Sequence, residues 1–273
     1  MNSASTPPIA LTIAGSDSGG GAGIQADLKT FSALGVYGAS VLTALTAQNT
    51  REVRAIHDVG AEFIAAQMDC VFDDLRVQAI KIGMLSQTEV IETIAERLAD
   101  KTDIPLVLDP VMVAKSGDPL LHPQAIDSLR DRLLPMATLI TPNLPEAAML
   151  LDIAEPKTRQ QMQDAAKALL DFGARGVLMK GGHLHDSDVG ESTDFFLSRS
   201  TELWLPAKRI DTPNTHGTGC TLSSAIAAGL AKGQNLESAV REAKVYISEA
   251  IVASGHLQIG SGHGPVHHFY RWW

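Results

Sequence analysis

The sequence has little of three things: cysteine, aromatic side chains and excess positive charge. Its two cysteines, Cys70 and Cys220, lie far apart and in no paired or metal-ligand spacing, which favours a reducing compartment. A net charge of −9 excludes a global basic field for holding nucleic acid or an anionic membrane. No apolar run reaches the ~18 residues of a membrane span, and residues 1–8 are too polar and short for a signal peptide. These absences predict a cytoplasmic protein that binds neither nucleic acid nor membrane.

What the chain does contain is the pattern of an α/β protein. Hydrophobic residues make up 45% and aromatics 5%, and the 23 glycines are spread in turn-like positions. Apolar runs alternate with segments of helical periodicity, which predicts one domain over residues 1–273, flexible at 1–8, with a mostly parallel sheet covered on both faces. The predicted strands are 9–14, 36–44, 53–59, 79–83, 106–108, 138–143 and 176–182, followed by a hairpin of 192–198 and 202–205. The predicted helices are 22–34, 62–72, 88–99, 221–232 and 236–253.

Residues 214–220 precede a predicted helix and carry the strongest local chemical signal. Gly217 and Gly219 allow positive φ and close backbone approach, and the first N–H groups of a helix have no internal acceptor, so the segment is typical of an anion site. A thiol at a helix N-terminus has a pKa below about 8.5, which predicts a partly ionised Cys220. The alternatives are an ordinary glycine turn and a small cysteine that packs the helix.

A second glycine-rich loop, residues 15–21, follows the first predicted strand. Gly15 and Gly21 bound this loop, which is a candidate for close approach to a ligand although it matches neither the dinucleotide fingerprint nor a Walker A sequence. Asp27 lies on the helix that follows. On spacing alone, Asp27 is interpreted as a solvated helix acid.

Polar residues also follow several predicted strands, where open α/β sheets place their ligands. Asp109, Lys180 and the pair Asn143 and Glu146 lie at such positions. Together with the segment 214–220 they indicate phosphoryl transfer, which needs donors around the moving group, hard oxygen ligands for a metal, and a cation on the phosphates. As a pair taken alone, Asn143 and Glu146 are more often a helix cap and a solvated acid.

The histidines near the C-terminus offer a weaker signal. His263, His267 and His268 are possible metal ligands, but no cysteine or acid lies nearby at ligand spacing. This segment is therefore predicted to be structural, at the surface or at an interface.

Six stretches together resemble the ribokinase-like kinases, and within them the hydroxymethylpyrimidine/phosphomethylpyrimidine kinases of thiamine biosynthesis. These stretches are AGSDSGGGAGIQAD (14–27), KIGML (81–85), AKSGD (114–118), TPNLPE (141–146), MKGGH (179–183) and NTHGTGCT (214–221). The resemblance covers almost the whole chain and implies a three-layer α/β/α domain. It also implies a kinase that uses ATP and Mg²⁺ on 4-amino-5-hydroxymethyl-2-methylpyrimidine and then on its monophosphate.

The resemblance assigns expected roles to single positions. Gln48 is expected to bind the aminopyrimidine edge, with Met84 and Val111 against the ring, Gly15 and Gly21 in the substrate loop, and Asp27 near the hydroxymethyl or phosphate end. The remaining expectations concern the nucleotide: Asp109, Asn143, Glu146, Lys180 and Thr218 bind it, Asp109 and Glu146 hold Mg²⁺ partly through water, and Gly217, Gly219 and Lys180 act on the transferring group. Residues 114–121 resemble a flap over the reacting centre.

Cys220 departs from the wider ribokinase-like pattern, which carries an aspartate base at this position. The hypothesis is that the Cys220 thiolate accepts the hydroxyl proton or orients the hydroxyl. Two other functions stay open: a pyridoxal kinase, whose substrate also carries a hydroxymethyl group on a heteroaromatic ring, and a pyrimidine-binding protein without catalysis. The predicted hairpin leaves little material for a lid, so a homodimer is expected to cover the site.

Overall fold

The computed structural model describes residues 6–112, 121–182, 184 and 190–273. The predicted flap therefore lies outside the described residues except for Leu121. The strands are β1 (Ile9–Asp17), β2 (Tyr37–Gln48), β3 (Val53–Asp58), β4 (Ala79–Ile82), β5 (Leu106–Leu108), β6 (Leu139–Ile140), β7 (Gly176–Met179), β8 (Glu191–Ser198) and β9 (Glu202–Lys208). The helices are α1 (Gly23–Ala33), α2 (Ala61–Asp74), α3 (Thr88–Leu98), α4 (Pro123–Ser128), α5 (Leu144–Leu151), α6 (Arg159–Leu170), α7 (Thr218–Ala231) and α8 (Leu236–Ala253).

All the described strands join one sheet in the order β3-β2-β1-β4-β5-β6-β7-β8-β9. The strands from β2 to β7 in this order run parallel, whereas β3, β8 and β9 pair antiparallel with their neighbours. The prediction of a mostly parallel sheet is confirmed. The chain leaves β1 towards β2 on one side and returns to β4 on the other, so β1 and β4 flank the point where the strand order reverses. Open α/β sheets bind ligands at such a point.

Two hydrophobic cores lie on opposite faces of the sheet and make it the middle layer of three. Leu11 and Ile13 of β1 face the core that helices α2 to α6 complete, whereas Ala10 faces the core with α1, α7 and α8. This alternation follows from the period of two along a strand. Each fully buried Leu or Ile side chain contributes about 2 kcal/mol. The prediction of a three-layer α/β/α arrangement is confirmed.

Several element boundaries differ from the sequence prediction, and two of these differences lie beside the cavity at the carboxyl edge of the sheet. Strand β1 continues to Asp17, so residues 15–17 of the predicted loop belong to the strand. Helix α7 begins at Thr218, which places Gly219 and Cys220 in its first turn instead of in a preceding turn. Gly217, at φ 78°, provides the left-handed N-cap.

Residues 264–268 of the C-terminal segment are buried, with His268 against α7, whereas His263 is exposed. His267 and His268 are buried, and His268 Nε2 lies 3.1 Å from the hydroxyl of Thr221. Burial lowers the pKa of His268 to about 3, so this imidazole is neutral. The expectation of a structural segment is met for these two residues, but their placement at the surface was wrong. None of the helices in the described part of the chain has both the length and the apolar character to cross a membrane.

Candidate active site

A cavity of about 590 Å³ opens at the carboxyl ends of the parallel strands. It is lined by residues at the carboxyl ends of β1, β2 and β4 and by residues that follow β5, β6 and β7. The N-terminus of α7 lies between them, because residues 215–220 also line the cavity. The predicted site residues that line it are Gly15, Gln48, Met84, Asp109, Val111, Asn143, Glu146, Lys180, Gly217, Thr218, Gly219 and Cys220.

The start of α7 can hold an anion because Gly217 and Gly219 leave part of its backbone uncovered. A Cβ on Gly217 would lie 1.9 Å from the carbonyl oxygen of Gly21, so no side chain fits there. A Cβ on Gly219 would lie 3.3 Å from Lys180 Nζ and 3.5 Å from Asp109 Oδ2, which brings the helix backbone close to both charges. The unpaired N–H groups and the dipole of the helix N-terminus favour a negative group at this position.

Lys180 forms the centre of a buried charge cluster beside this turn. Its Nζ lies 2.8 Å from Asp109 Oδ1 and 3.6 Å from Glu146 Oε2. Although burial acts to lower it, these two carboxylates raise the pKa of Lys180. Burial acts to raise the pKa of Asp109, but Lys180 and Lys81 hold it below its ordinary value. Lys180 therefore carries a fixed positive charge, and Asp109 a fixed negative charge.

Asn143 and Glu146 form a capping box at the start of α5. The Asn143 side chain accepts from Glu146 N at 2.8 Å, and Glu146 Oε2 accepts from Asn143 N at 2.7 Å. The cap that the spacing allowed is therefore present, but the acid is not solvated, because Glu146 is only 6% exposed. Burial raises the pKa of Glu146 to about 7, with Lys180 lowering it and Asp109 raising it. Glu146 consequently titrates near neutral pH.

The environment of Cys220 contradicts the predicted low pKa. Burial raises the pKa of this thiol to about 11, despite the opposing effect of Lys81 and of a hydrogen bond from the backbone of Gly23. The helix N-terminus, on which the sequence prediction depended, favours the thiolate, but the loss of water around the thiol dominates. Cys220 lines the cavity as a neutral thiol and not as a thiolate.

Another part of the cavity combines apolar with polar side chains. Met84 and Val111 line it, and a Cβ on Gly15 would lie only 3.0 Å from Met84 Sδ. Gln48 also lines the cavity, and its Nε2 lies 3.3 Å from His216 Nε2. An amide beside apolar side chains suits a planar heterocycle with both a donor and an acceptor on its edge.

Two predicted substrate residues do not themselves line the cavity. Asp27 is fully buried beneath it, where its carboxylate binds Lys81 Nζ at 2.8 Å and accepts from the hydroxyl of Ser224 at 2.6 Å. It is therefore neither a solvated helix acid nor a group at the cavity wall. Gly21 instead leaves room for His216, since a Cβ on it would lie 2.3 Å from His216 Cδ2.

Sequence reasoning missed three polar side chains that the structure brings to the site. Asp17 and His216 line the cavity and pair with each other at 3.0 Å, and Lys81 lines it above Asp27. The position of Lys81 could have been recognised from the sequence, because a lysine in the middle of an apolar strand needs a buried partner. The pairing of Asp17 with His216 carried none, because the two residues are 199 positions apart.

Comparison with known proteins agrees with this geometry. A family model described as phosphomethylpyrimidine kinase matches residues 17–267. The chain belongs to the phosphomethylpyrimidine kinase family. A relative from Rhizobium meliloti (strain 1021), named hydroxymethylpyrimidine/phosphomethylpyrimidine kinase, is 59% identical over 265 residues, which are 97% of this chain and 98% of the relative. The family recognised from the six sequence stretches is confirmed.

Solved structures place this member of the phosphomethylpyrimidine kinase family among the ribokinase-like folds. An ADP complex of Bacillus subtilis pyridoxal kinase has a TM-score of 0.89 and 40% identity, covering 98% of this chain and all of the other. Phosphomethylpyrimidine kinase from Clostridium difficile 630 has a TM-score of 0.78 and 46% identity, covering 89% and 99%. The predicted ribokinase-like fold is confirmed.

The charge cluster suits a cation shared with a ligand more than a metal held by protein alone. Within the described residues, no group of three or more His, Cys, Asp and Glu side chains is arranged to hold a metal ion. Asp109 and Glu146 nevertheless both contact Lys180, so their carboxylates face a common point. Mg²⁺ in kinases is held by one or two carboxylates together with substrate phosphates and water, and this donor set fits that pattern.

Proposed function

We propose that the chain transfers the γ-phosphoryl group of ATP to the hydroxymethyl group of 4-amino-5-hydroxymethyl-2-methylpyrimidine, and then a second one to the resulting monophosphate, in thiamine biosynthesis. The observation that carries the proposal is one cavity that joins Gln48 and the apolar side chains of Met84 and Val111 to the N-terminal turn of α7. The name of the Rhizobium meliloti relative, which matches over nearly its full length, supports the same two acceptors.

The charged end of the cavity would bind the nucleotide. Lys180 would lie along the phosphates, Asn143 and Thr218 would contact them, and the N–H groups of Gly219 and Cys220 would surround the moving phosphoryl group. Mg²⁺, held by Asp109 and Glu146 partly through water, would neutralise charge on the phosphates. The ADP bound to the pyridoxal kinase of Bacillus subtilis supports ATP as the donor.

In the first transfer the acceptor oxygen bonds to the γ-phosphorus, the bond from that phosphorus to the bridging oxygen of ADP breaks, and the hydroxyl proton passes to an oxygen of the transferred phosphoryl group. Cys220, a neutral thiol with its pKa raised to about 11, would orient this hydroxyl instead of removing its proton beforehand. The transition state of such transfers is loose, so orientation contributes more than a strong base. In the second transfer the acceptor is already an anion.

Three further features belong to the proposal. The chain would act as one ribokinase-like domain, in the cytoplasm, and as a homodimer. The dimer is supported by the β8–β9 hairpin, which extends the central sheet beyond β7 and so does not form a separate lid. A partner copy would then be needed to close the site.

Pyridoxal kinase activity is the second candidate. The pyridoxal kinase of Bacillus subtilis superposes with a TM-score of 0.89, against 0.78 for the phosphomethylpyrimidine kinase of Clostridium difficile 630. Shape alone therefore does not separate the two activities. The choice between them depends on the side chains that touch the ring.

Product analysis by mass tests the proposal. Purified protein with Mg-ATP is given hydroxymethylpyrimidine, its monophosphate and pyridoxal in separate reactions. We expect the monophosphate from the first acceptor and the diphosphate from the second. Phosphorylation of pyridoxal alone would support the second candidate. Absence of transfer to every acceptor would support a pyrimidine-binding protein without catalysis.

A further inference from the structure

His216 and the Gln48 amide lie side by side at the ring-binding end of the cavity. The inference drawn from this contact rests on the proposed function. We propose that His216, with its Nε2 hydrogen directed at Asp17, sets the orientation of the Gln48 amide and thereby makes the site selective for a ring with an amino group beside its hydroxymethyl group. His216 would be a positioning residue that acts through Gln48.

Asp17 fixes which atom of His216 carries a hydrogen. Its Oδ1 accepts from Gly19 N at 2.8 Å, and its Oδ2 accepts from Gly21 N and Ala22 N, both at 2.9 Å. A carboxylate with three backbone donors is ionised and can only accept. His216 Nε2, at 3.0 Å from Asp17 Oδ2, must therefore donate to it.

This hydrogen determines the favourable orientation of the neighbouring amide. Gln48 Nε2, at 3.3 Å, is also a donor, and two donors facing each other repel. On the other side, Thr46 Oγ1 lies 3.1 Å from Gln48 Oε1 but 2.9 Å from the carbonyl oxygen of Ser16. The single hydroxyl hydrogen of Thr46 goes to the closer acceptor, so the hydroxyl oxygen can accept from the amide.

A half-turn of the Gln48 amide removes the unfavourable contact on each side. Its oxygen then shares the single Nε2 hydrogen of His216 with Asp17 Oδ2, and its nitrogen donates to Thr46 Oγ1. Each amide atom keeps one capacity for a ligand, a lone pair on the oxygen and a hydrogen on the nitrogen. This edge matches the amino group and the adjacent ring nitrogen of an aminopyrimidine.

The orientation matters for reaction because of where the substituents lie on the ring. In the proposed acceptor the amino group and the hydroxymethyl group are on adjacent carbons. The amide oxygen accepts from the amino group. The position of this oxygen therefore decides whether the hydroxymethyl group is directed towards Cys220 and the α7 turn or away from them. A misplacement of this kind lowers the rate of transfer more than it lowers binding.

The surroundings of His216 hold it in place for this task. Its ring packs over Gly21, where a Cβ would lie 2.3 Å from Cδ2. Its backbone N donates to Gly264 O at 2.9 Å, and its carbonyl accepts from Val266 N at 3.2 Å. The C-terminal segment, predicted to be structural, thus fixes the backbone of His216.

The test compares two acceptors that differ by one group: the aminopyrimidine and its 4-deamino analogue, 2-methyl-5-hydroxymethylpyrimidine. The wild-type chain should prefer the amino compound in kcat/KM by about a hundredfold or more, because a site built to bind a donor rejects the analogue without it. His216→Phe, which removes the donor, should reduce this preference by about tenfold. His216→Gln, which restores an N–H at similar reach, should keep the preference.

The control is the analogue itself, since damage to the fold lowers transfer to both acceptors alike. Equal loss on both in His216→Phe would overturn the inference alone, whereas no transfer by the wild-type chain to either pyrimidine would overturn the proposed function and the inference with it. If His216→Phe does not fold, Thr46→Val decides, because it removes the acceptor on the other side of Gln48. It should also reduce the preference, and an unchanged preference would contradict the inference.

Discussion

Cys220 illustrates how burial can reverse a local electrostatic effect. Its position in the first turn of α7 favours ionisation, yet the removal of water around the thiol raises its pKa to about 11. A thiol that is neutral at physiological pH acts by hydrogen bonding. The difference between the two acceptors of the proposed reaction makes this role measurable.

Cys220→Ala should damage the first transfer much more than the second. Only the first acceptor has a hydroxyl group to orient, and we expect its kcat/KM to fall by at least about tenfold. Cys220→Ser, which keeps a donor and acceptor, should lose less. Rapid-quench measurement of each transfer separately gives the two values.

The pH dependence provides the control for this experiment. Because the thiol stays protonated well above neutral pH, the ratio of wild-type to Cys220→Ala rates should be constant between about pH 6 and pH 9. A ratio that rises tenfold per pH unit would instead indicate that Cys220 acts as a thiolate base. Equal losses in both transfers would contradict the proposed role of Cys220 in orienting the hydroxyl group.

Glu146 should make the protein less stable as the pH rises. Its pKa is about 7 in the folded chain, above its ordinary value of 4.5. The unfolded chain thus loses this proton first, so the stabilisation from this group is complete below about pH 4.5 and is lost as the pH rises through about 7. Glu146→Gln should remove this slope and melt at or above the wild-type temperature at pH 8.

The same substitution should reduce phosphoryl transfer, because Glu146 is proposed to hold Mg²⁺ with the nucleotide. Glu155→Gln is the matched control, since this acid also lines the cavity but is exposed. It should change neither the pH slope of the melting temperature nor the rate. An unchanged rate in Glu146→Gln would contradict the proposed role of Glu146 in holding Mg²⁺ with the nucleotide.

At the scale of elements, one buried ion pair joins four parts of the fold beneath the cavity. Asp27 of α1 binds Lys81 of β4, and it also accepts from Thr12 of β1 and Ser224 of α7. Both charged side chains are fully buried. A buried pair is weak evidence for net stability, but removal of one partner leaves an unpaired charge.

Asp27→Asn should therefore destabilise the fold by about 3–5 kcal/mol, whereas the double change Asp27→Leu with Lys81→Met should recover much of the loss. Urea denaturation of the variants measures both. Asp69→Asn is the control, because its pair with Arg97 is half exposed and should cost less than about 1 kcal/mol. A small effect of Asp27→Asn would mean that water reaches Lys81.

The start of α7 depends on the absence of a side chain at Gly217. Gly217→Ala combines a left-handed backbone, at φ 78°, with a Cβ placed 1.9 Å from Gly21 O. The two loops that meet here must separate, so kcat should fall by about tenfold or more. Steady-state kinetics with saturating ATP and acceptor gives this value.

Gly233, beyond the other end of the same helix, provides the matched control. It has φ 82°, and a Cβ added to it would meet no atom within 4 Å, so Gly233→Ala meets only the backbone cost of about 1 kcal/mol. It should lower the melting temperature slightly and leave kcat unchanged. Equal kinetic effects in the two variants would contradict the role of close packing at Gly217.

At the scale of the whole molecule, the sheet and five of the helices could be predicted because their signals are local, whereas α4 and α6 were not predicted. The limits of α8, Leu236–Ala253, follow from a capping Asn235 and a regular apolar stripe. Strands β4, β5 and β7 are buried along their whole length and read as apolar runs. Strand ends at one edge of a parallel sheet then locate Asp109, Asn143 and Lys180 at the site.

Contacts between distant segments could not be predicted in this way. Asp27 was interpreted as solvated because its partner Lys81 lies 54 positions away. The desolvation of Cys220 likewise depends on packing that no local pattern records.

The proposed homodimer is the last property to test at this scale. Sedimentation velocity should find a particle of twice the 29.0 kDa of one chain, and the dimer should persist on dilution over roughly a hundredfold range, because an obligate interface links folding to association. If the partner closes the site, transfer per chain should fall at the dilutions where monomers appear. A monomer with full activity at every concentration would contradict the proposal, since each copy would then close its own cavity.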